Sequence, residues 1–300
     1  MGEDKKTLLV IDGNSLAHRA FHALPPLVTK GGELTGAVYG FLLALFKAIK
    51  DFQPDFIAAT FDLPSPTFRH QKFQGYKANR VKAPDEFYNQ LPKIKEILRA
   101  FDIQIFEKEG YEADDLIGTI AKSTSRKQVF PKVETIILSG DLDNLQLIDP
   151  NIKVYTFKKG VKETILYDEE IVEKRYQGLK PNQLADFRAL RGDPSDNIPG
   201  VPGVGEKTAI NLLREFGNVD NLYKEIEEKT ERAKGIKTKL KETLVDSKEL
   251  AFLSRELATI QKEVSVDFCL EKCRWRDYDK EKSSRLLKGL EFYSLINRLP

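Results

Sequence analysis

Short apolar runs that each end in aspartate recur three times in the first half of the chain: Thr7–Asp12, Asp55–Asp62 and Glu134–Asp141. Between them, the segments Val38–Ile49 and Leu91–Leu98 carry apolar residues at helical spacing. Buried strands that alternate with amphipathic helices are typical of an α/β fold. We therefore predict a mostly parallel central sheet flanked by helices.

The hydrophobic pattern becomes mostly helical after Asp168. Apolar positions within 184–190 and 209–216 predict two helices, and a loop rich in glycine and proline joins them. Part of this loop, Gly200–Thr208, is close to a phosphate-binding P-loop, but Glu206 interrupts the motif and no strand precedes it. We predict a glycine hairpin whose backbone amides face a phosphate, the alternative being an ordinary turn. The predicted divisions are 1–172 (α/β core), 173–262 (helical domain) and 263–300 (C-terminal helical tail).

A cluster of acidic residues opens the helix that is predicted after Gly110. Glu112, Asp114 and Asp115 fall on its first turn, and the spacing places them off the apolar stripe. Acidic residues favour helix N-termini, which accounts for one or two carboxylates. Three carboxylates repel one another unless a cation lies between them. A metal site and a plain helix start are both open on this segment alone.

Aspartates also follow the predicted strands, at Asp12, Asp62, Asp141 and Asp143. Ligands of parallel α/β sheets bind outside the carboxyl ends of the strands, where these side chains converge with the acidic helix start. A single one, such as Asp12, could equally be a helix N-cap. Together they predict an oxygen-rich site for Mg²⁺ or Mn²⁺.

Basic and aromatic residues alternate in the segment from 64 to 83. Arg69, Lys77 and Arg80 are interleaved with aromatic residues that include Tyr76. Positive charge for phosphates and rings for base stacking are the features of a channel for single-stranded nucleic acid. The alternative is a solvated basic loop or helix.

Composition narrows the protein class. The chain has 300 residues and a net charge of +2, which by itself says nothing about nucleic acid. Cys269 and Cys273 are the only cysteines, so neither a zinc site nor a disulfide framework is expected. With no apolar run of about 18 residues and no signal-peptide pattern, we expect a cytoplasmic protein without a membrane span.

Several motifs together resemble the 5′ nuclease (flap endonuclease) domain of bacterial DNA polymerase I. The resemblance runs from Val10 to Leu295. It rests on Phe61–Asp62 with Thr67–His70, Gly75–Arg80, Gly110–Asp115, Ser139–Asp143, Gly192–Asn197 and Gly200–Thr208. One departure is Asn144, where many relatives have another residue type.

The resemblance implies a nuclease core like those of PIN and resolvase proteins, with two Mg²⁺ or Mn²⁺ ions. It places the family's metal-site carboxylates on Asp12, Asp62, Glu112, Asp114, Asp115, Asp141, Asp143, Asp193 and Asp196. It implies a basic helical arch at about 64–83, with Lys77 and Arg80 acting on the scissile phosphate. It also implies a helix–hairpin–helix that binds duplex DNA and often holds K⁺. The implied DNA-binding residues are Arg19, Arg69, Tyr76, Gly200, Gly203, Gly205, Lys207 and Thr208.

The expected function is metal-dependent hydrolysis of DNA phosphodiesters in replication and repair. It would act as a 5′-3′ exonuclease and a 5′-flap endonuclease on DNA with a 5′ flap or a 5′ end beside duplex. We expect a monomer, with a DNA polymerase in cis or in trans as a further partner. A non-catalytic, structure-specific DNA-binding module is the alternative. The sequence does not choose between exonuclease and flap cleavage, between the two metals, or between a free-standing nuclease and a polymerase domain.

Overall fold

A computed structural model describes residues 5–125, 132–160, 163–276 and 278–300 of the chain. Within these ranges the centre of the molecule is a six-stranded sheet with the order β3-β2-β1-β4-β5-β6. Neighbouring strands are parallel except β5 and β6. The prediction of a mostly parallel sheet is therefore confirmed. The strands are β1 (Lys6–Asp12), β2 (Phe56–Thr60), β3 (Gln104–Phe106), β4 (Val133–Leu138), β5 (Ile152–Lys159) and β6 (Glu163–Tyr167).

Strand β1 lies at the middle of the sheet, and its side chains from Leu8 to Ile11 are fully buried. Leu9 and Ile11 face one apolar layer, and Leu8 and Val10 face the other, because side chains alternate along a strand. Burial on both faces explains the continuous apolar run in the sequence. The parallel register pairs Asp12 with Thr60, so the chain leaves β1 and β2 at the same edge of the sheet.

Helices cover both faces of the sheet. Residues of α1, α2 and α5 join the layer with Leu9, and residues of α6 join the layer with Leu8. Two short helices, α3 and α4, lie between β2 and α5 in the chain. The helices of this part are α1 (Gly13–Ala23), α2 (Gly36–Phe52), α3 (Phe68–Lys72), α4 (Asp85–Tyr88), α5 (Leu91–Ala100) and α6 (Ala113–Ser125).

The predicted helical arch at about 64–83 is helical only in α3. Residues 74–79 form turns, and Lys77 has a φ angle of 56°, which a continuous right-handed helix excludes. The backbone N–H of Lys77 donates to the carbonyl of Asp196 at 2.9 Å, which ties this turn to the helical domain. Lys77 and Arg80 therefore do not share a helix face.

The second half of the chain builds a helical domain with its own apolar core, as predicted. Within the described residues none of the helices is long and apolar enough to cross a lipid bilayer. α7 (Glu169–Arg175) packs on the sheet, where Val172 is buried in the layer with Leu8. The helices of the helical domain are α8 (Leu184–Arg191), α9 (Glu206–Phe216), α10 (Val219–Glu228), α11 (Glu231–Lys234), α12 (Thr238–Asp246) and α13 (Lys248–Ala258).

The predicted C-terminal tail contains α14 (Lys280–Gly289) and α15 (Tyr293–Ile296). These helices return to the α/β core, because Leu287 and Leu295 are fully buried in the same apolar layer as α2 and α5. The backbone N–H of Trp275 also donates to the carbonyl of Asp55 at 2.7 Å. The last residues are therefore part of the packing of the core.

The loop from 192 to 205 forms a hairpin between α8 and α9. Its base is tight, because Gly192 and Gly200 have φ angles of 76° and 65° and their backbones touch. A Cβ atom on Gly200 would lie 2.2 Å from the backbone nitrogen of Gly192. Its tip is open, since a Cβ on Gly203 or Gly205 would meet nothing within 4 Å. The base thus requires glycine for space, and the tip leaves room for a ligand to approach the backbone.

We expect Gly200→Ala to lower the free energy of unfolding by about 2–5 kcal/mol, since backbone strain and a backbone clash add together. Gly203→Ala is the matched control. It has a similar φ angle of 75° but open space, so only strain of about 1–2 kcal/mol is expected. Urea denaturation of both variants measures the difference, and equal losses would contradict a tight hairpin base.

Candidate active site

A cleft of about 880 Å³ opens at the carboxyl edge of the sheet. Acidic residues line it, together with the basic residues Lys77, Arg80 and Arg19. Asp115 and Asp193, which were predicted as metal ligands, are not among the lining residues. The tertiary structure thus brings most of the predicted carboxylates together and sets two apart. The seven that line the cleft are Asp12, Asp62, Glu112, Asp114, Asp141, Asp143 and Asp196.

Asp12 ends β1 and is the N-cap of α1. Its Oδ1 accepts the backbone N–H of Ser15 at 3.1 Å, and its Oδ2 accepts the hydroxyl of Ser139 at 2.6 Å. The side chain is buried against the cleft floor and only 3% exposed. Asp12 is therefore a helix N-cap whose carboxylate also lines the cleft, and its role as a metal ligand stays a prediction.

Asp62 follows β2 and lies open on the cleft. Its Oδ1 accepts the backbone N–H of Ala113, the first residue of α6, at 2.7 Å. The amide oxygen of Asn14 accepts the backbone N–H of Asp62 at 3.2 Å. These bonds connect the ends of β1 and β2 to the start of α6.

Asp114 and Asp115 are neighbours on α6 but point in different directions. Asp114 lines the cleft, whereas Asp115 is completely buried. The prediction that Asp115 lies off the buried stripe is wrong. Burial is possible because Asp115 accepts four N–H groups: Nη1 and Nη2 of Arg69 at 2.7 and 2.8 Å, and the backbone amides of Glu112 and Gln261 at 3.1 and 2.8 Å.

Arg69 is buried as well, with 2% of its surface exposed. Besides Asp115, its guanidinium donates to the backbone carbonyls of Leu257 at 2.8 Å and Thr259 at 2.9 Å. These contacts join α3, α6 and the end of α13. Arg69 also lines the cleft, but these hydrogen bonds give its guanidinium a structural role, and contact with a phosphate stays a prediction.

Tyr76 is also internal, with 3% exposure, and it packs against Ile198 and Leu257. Its hydroxyl donates to Glu112 Oε2 at 3.1 Å and to Asp196 Oδ2 at 3.2 Å. Burial and these two carboxylates raise the pKa of the Tyr76 phenol above its ordinary value. Like Arg69, it supports the wall of the cleft.

Lys77 and Arg80 face the cleft and pair with its carboxylates. Lys77 Nζ lies 2.7 Å from Glu112 Oε1 and 3.9 Å from Asp196 Oδ2. Arg80 forms an ion pair with the other oxygen of Asp196. Burial alone would raise the pKa of Glu112, but Lys77 and Arg69 outweigh it and hold this pKa below its usual value. This side of the cleft is therefore electrostatically balanced.

Arg188 on α8 is a cation that the sequence pattern did not single out. It is buried and lies against both Asp143, with which it forms an ion pair, and Asp193, whose Oδ2 is 3.4 Å from its Nε. It thereby connects the loop after β4 to the hairpin. The only sequence signal was a charged residue beside the apolar stripe of a predicted helix.

The opposite side of the cleft has excess negative charge. Burial, with repulsion from Asp62 and Asp141, raises the pKa of Asp12 to about 7. Burial and repulsion from Asp12 and Asp141 raise the pKa of Asp114 well above its ordinary value. Desolvation by the cleft walls raises the pKa of Asp62 although the side chain is open. The pKa of Asp143 rises to about 7, chiefly through burial and against the effect of Arg188.

A divalent cation fits the chemistry of this side of the cleft, since carboxylate oxygens suit Mg²⁺ and Mn²⁺ and a bound ion would relieve the repulsion. Within the described residues, no three His, Cys, Asp or Glu side chains already stand as a ready-made cage. The candidate ligands are Asp12, Asp62, Asp114, Asp141 and Asp143.

The predicted hairpin residues occupy two environments. Gly203, Gly205 and Lys207 are exposed at the tip, whereas Gly200 is buried at the base and Thr208 is half-buried on α9. Arg19, on α1, lines the cleft. Its guanidinium also donates to the carbonyls of residues 157 and 160, at 3.4 and 3.2 Å. The exposed tip and Arg19 are the groups that a nucleic acid could reach.

The fold and its acidic cleft define a resolvase-like α/β nuclease core joined to a small helical domain, and comparison with protein families agrees for both parts. Residues 7–177 match the N-terminal resolvase-like domain of 5′-3′ exonucleases, and residues 179–281 match their C-terminal SAM fold. The chain belongs to the 5′-3′ exonuclease family. The family resemblance stated from the motifs is therefore confirmed.

Curated relatives include the DNA polymerases I of Bacillus caldotenax and Chloroflexus aurantiacus. They are 43% and 44% identical to the chain over 98% of its length. The aligned region is 32% and 31% of these relatives, so the chain spans about a third of their length.

Solved structures with the same fold include a bacteriophage T5 5′-exonuclease with bound divalent metal ions (zinc). Its TM-score is 0.67 at 22% identity, and the match covers 84% of this chain and 89% of that one. The catalytic core of Rad2 in complex with DNA substrate has a TM-score of 0.61 at 16% identity, with coverage of 95% and 88%. At these identities the likeness shows the fold.

We expect Asp12→Asn to stabilise the metal-free protein at pH 8 by about 1–3 kcal/mol, because it removes one repelling charge. The folded pKa of Asp12 is about 7, above the value of 3.8 for a free side chain. The folded state thus holds more protons than the unfolded state between these pH values. This group's contribution therefore makes the free energy of unfolding fall as pH rises through that window.

Thermal melts from pH 5 to 8, with and without Mn²⁺, measure this effect. In the parent protein, stabilisation by Mn²⁺ should grow as pH rises past 7, because protons no longer compete for the carboxylates. Asp12→Asn should lose most of that stabilisation. Asp279→Asn, at the exposed N-cap of α14, is the control and should change neither response. If the stability of Asp12→Asn depended on pH and Mn²⁺ as that of the parent protein does, this would contradict the excess negative charge assigned to this side of the cleft.

We expect Arg69→Leu to lower the free energy of unfolding by about 3–5 kcal/mol, because it leaves Asp115 buried without its bidentate partner. Replacing both residues by leucine removes the unpaired charge, so the double variant should recover part of the loss. Denaturant titration of the two single variants and the double variant gives the coupling. Strictly additive losses would show that the pair is not a unit.

Proposed function

We propose that the chain is a divalent-metal-dependent 5′ nuclease that hydrolyses DNA phosphodiesters at a 5′ flap or at a 5′ end beside duplex. The observation that carries this proposal is the cleft, in which uncompensated carboxylates face Lys77 and Arg80. Family membership supports the reaction class. The DNA-bound and metal-bound neighbours of the same fold support the substrate and the ions.

The residues on the two sides of the cleft have different proposed roles. Asp12, Asp62, Asp114, Asp141 and Asp143 would hold Mg²⁺ or Mn²⁺ as oxygen ligands. Bound there, the ions would supply an activated water and stabilisation of the leaving oxygen. The carboxylates are ligands in this scheme, so no covalent intermediate forms on the protein.

Lys77 and Arg80 would neutralise charge on the scissile phosphate. Their present partners, Glu112 and Asp196, hold them at the cleft wall. A cation placed by protein contacts needs little rearrangement when charge develops in the transition state. The left-handed turn at Lys77 is the backbone feature that keeps this ammonium at the wall.

The hairpin tip would bind the duplex backbone. Gly203 and Gly205 leave the main chain open, and exposed Lys207 lies in the first turn of α9 beside them. The positive end of a helix and free amides suit a phosphate. We extend the proposal to K⁺ at this hairpin, to a cytoplasmic monomer and to a polymerase partner, as the resemblance and the relatives' names suggest.

A non-catalytic DNA-binding module is the alternative, and it would be marked by the loss of an acidic ligand. All nine predicted carboxylates are present, and seven line the cleft. Repulsion among them would only weaken the binding of phosphate unless an ion were bound. The cleft therefore supports catalysis better than simple binding.

The test is single-turnover cleavage of a 5′-flap DNA with and without Mg²⁺, with product lengths measured on a gel. We expect cleavage near the junction only with the ion. Lys77→Ala should lower the rate at saturating DNA by about 10²–10³, because it removes a transition-state contact.

Lys207→Ala is the comparison, since loss of a backbone contact should weaken affinity and reduce the salt slope by about one. Its rate at saturation should stay near that of the parent. Cleavage that does not need a divalent ion would refute the metal-dependent mechanism. If Lys77→Ala binds DNA more weakly but cleaves at the parental rate at saturation, Lys77 does not contact the transition state and contributes only to binding.

A further inference from the structure

Two neutral side chains, Ser139 and Asn144, lie among the carboxylates of the cleft and have no part in the mechanism above. Both are completely buried. Ser139 follows β4, and Asn144 belongs to the 3-10 turn Asp143–Leu147.

The two residues join Asp12 to Asp114 through hydrogen bonds. The Ser139 hydroxyl donates to Asp12 Oδ2 at 2.6 Å and accepts the backbone N–H of Asp141 at 2.9 Å. The Asn144 amide nitrogen donates to Asp114 Oδ1 at 2.8 Å and lies 3.4 Å from the Ser139 hydroxyl oxygen. One continuous polar chain therefore runs from the end of β1 to the first turn of α6.

Stability alone does not favour an amide at position 144. The Oδ1 atom of Asn144 is buried and has no hydrogen-bond partner, and such a group costs about 1–3 kcal/mol. Leucine has nearly the same size and would avoid that cost. What the amide adds, and leucine cannot, is an N–H group aimed at Asp114.

A charged hydrogen-bond donor and a neutral one have different effects on a carboxylate. Lys77 pairs with Glu112 and offsets its charge. A hydroxyl or amide orients a carboxylate but leaves its negative charge in place. A carboxylate oxygen also has two lone pairs, so a bond from one side leaves room for an ion on the other.

We propose that Ser139 and Asn144 form a neutral bracket that fixes Asp12 and Asp114 in the orientation a divalent ion requires. They are positioning residues, and the inference rests on the metal dependence proposed above. Groups that hydrogen-bond to metal ligands set the direction of those ligands, and losing one typically weakens metal binding 10–100-fold.

The test is titration calorimetry of Mn²⁺ into the full chain without DNA, which does not depend on cleavage. Asn144→Leu should weaken Mn²⁺ binding about 10–100-fold. Gln146→Leu is the matched control, because Gln146 is a buried amide in the same turn. Its bonds go to the backbone of Ala258 and Ile260, at 3.0 Å each, and not to a carboxylate. It should alter the melting temperature but leave Mn²⁺ affinity within about twofold of the parent.

The outcomes separate this inference from the proposed function. A parent protein that does not bind Mn²⁺ would refute the metal site itself. A parent that binds, with Asn144→Leu binding equally well, would refute the bracket alone. If Asn144→Leu fails to fold, Ser139→Ala replaces it, since only one hydroxyl is lost. Unchanged Mn²⁺ affinity in Ser139→Ala would then overturn the proposal, and a loss of about tenfold or more would support it.

Discussion

Repulsion between carboxylates at one edge of the sheet is the constraint on which the rest of the site depends. Parallel strands must end at the same edge, and α6 begins there, so the fold brings Asp12, Asp62 and Asp114 into one cleft. The protein neutralises Glu112 and Asp196 with Lys77 and Arg80, and it leaves the other side with excess negative charge although Arg188 pairs with Asp143. The raised pKa values of Asp12 and Asp114 result from burial and from this excess charge. A cation would therefore be most stabilising on that side of the cleft.

The buried pair of Arg69 and Asp115 makes this arrangement depend on the whole chain. Its hydrogen bonds join α3 and α6 to the segment that follows α13, up to 190 residues away in sequence. A charge pair of this kind is costly to desolvate, and it holds only where every donor and acceptor is satisfied. Through this pair, the wall of the cleft is joined directly to the helical domain.

Local pattern predicted the elements that are strongly apolar or strongly periodic. Strands β1, β2 and β4 are continuous buried runs, and the stripes of α2 and α5 are regular. The same pattern did not reveal β3, which has only three half-buried residues, or the strands β5 and β6 at the other side of the sheet. The helical arch at about 64–83 came from the family resemblance, and residue spacing alone does not show that Lys77 turns left-handed in contact with Asp196.

The sequence by itself determined the α/β architecture, the helical second domain and the set of acidic residues at the carboxyl edge. These follow from periodicity and from aspartates placed directly after strands, and both are local properties. Only the tertiary structure decided that Asp115 is buried and Asp114 faces the cleft, and that Arg69 supports the interior. It also decided that Arg188 pairs with Asp143. The reason is physical: the Arg69–Asp115 and Arg188–Asp143 pairs each join residues more than 40 apart in sequence, and such partners meet only after the chain has packed.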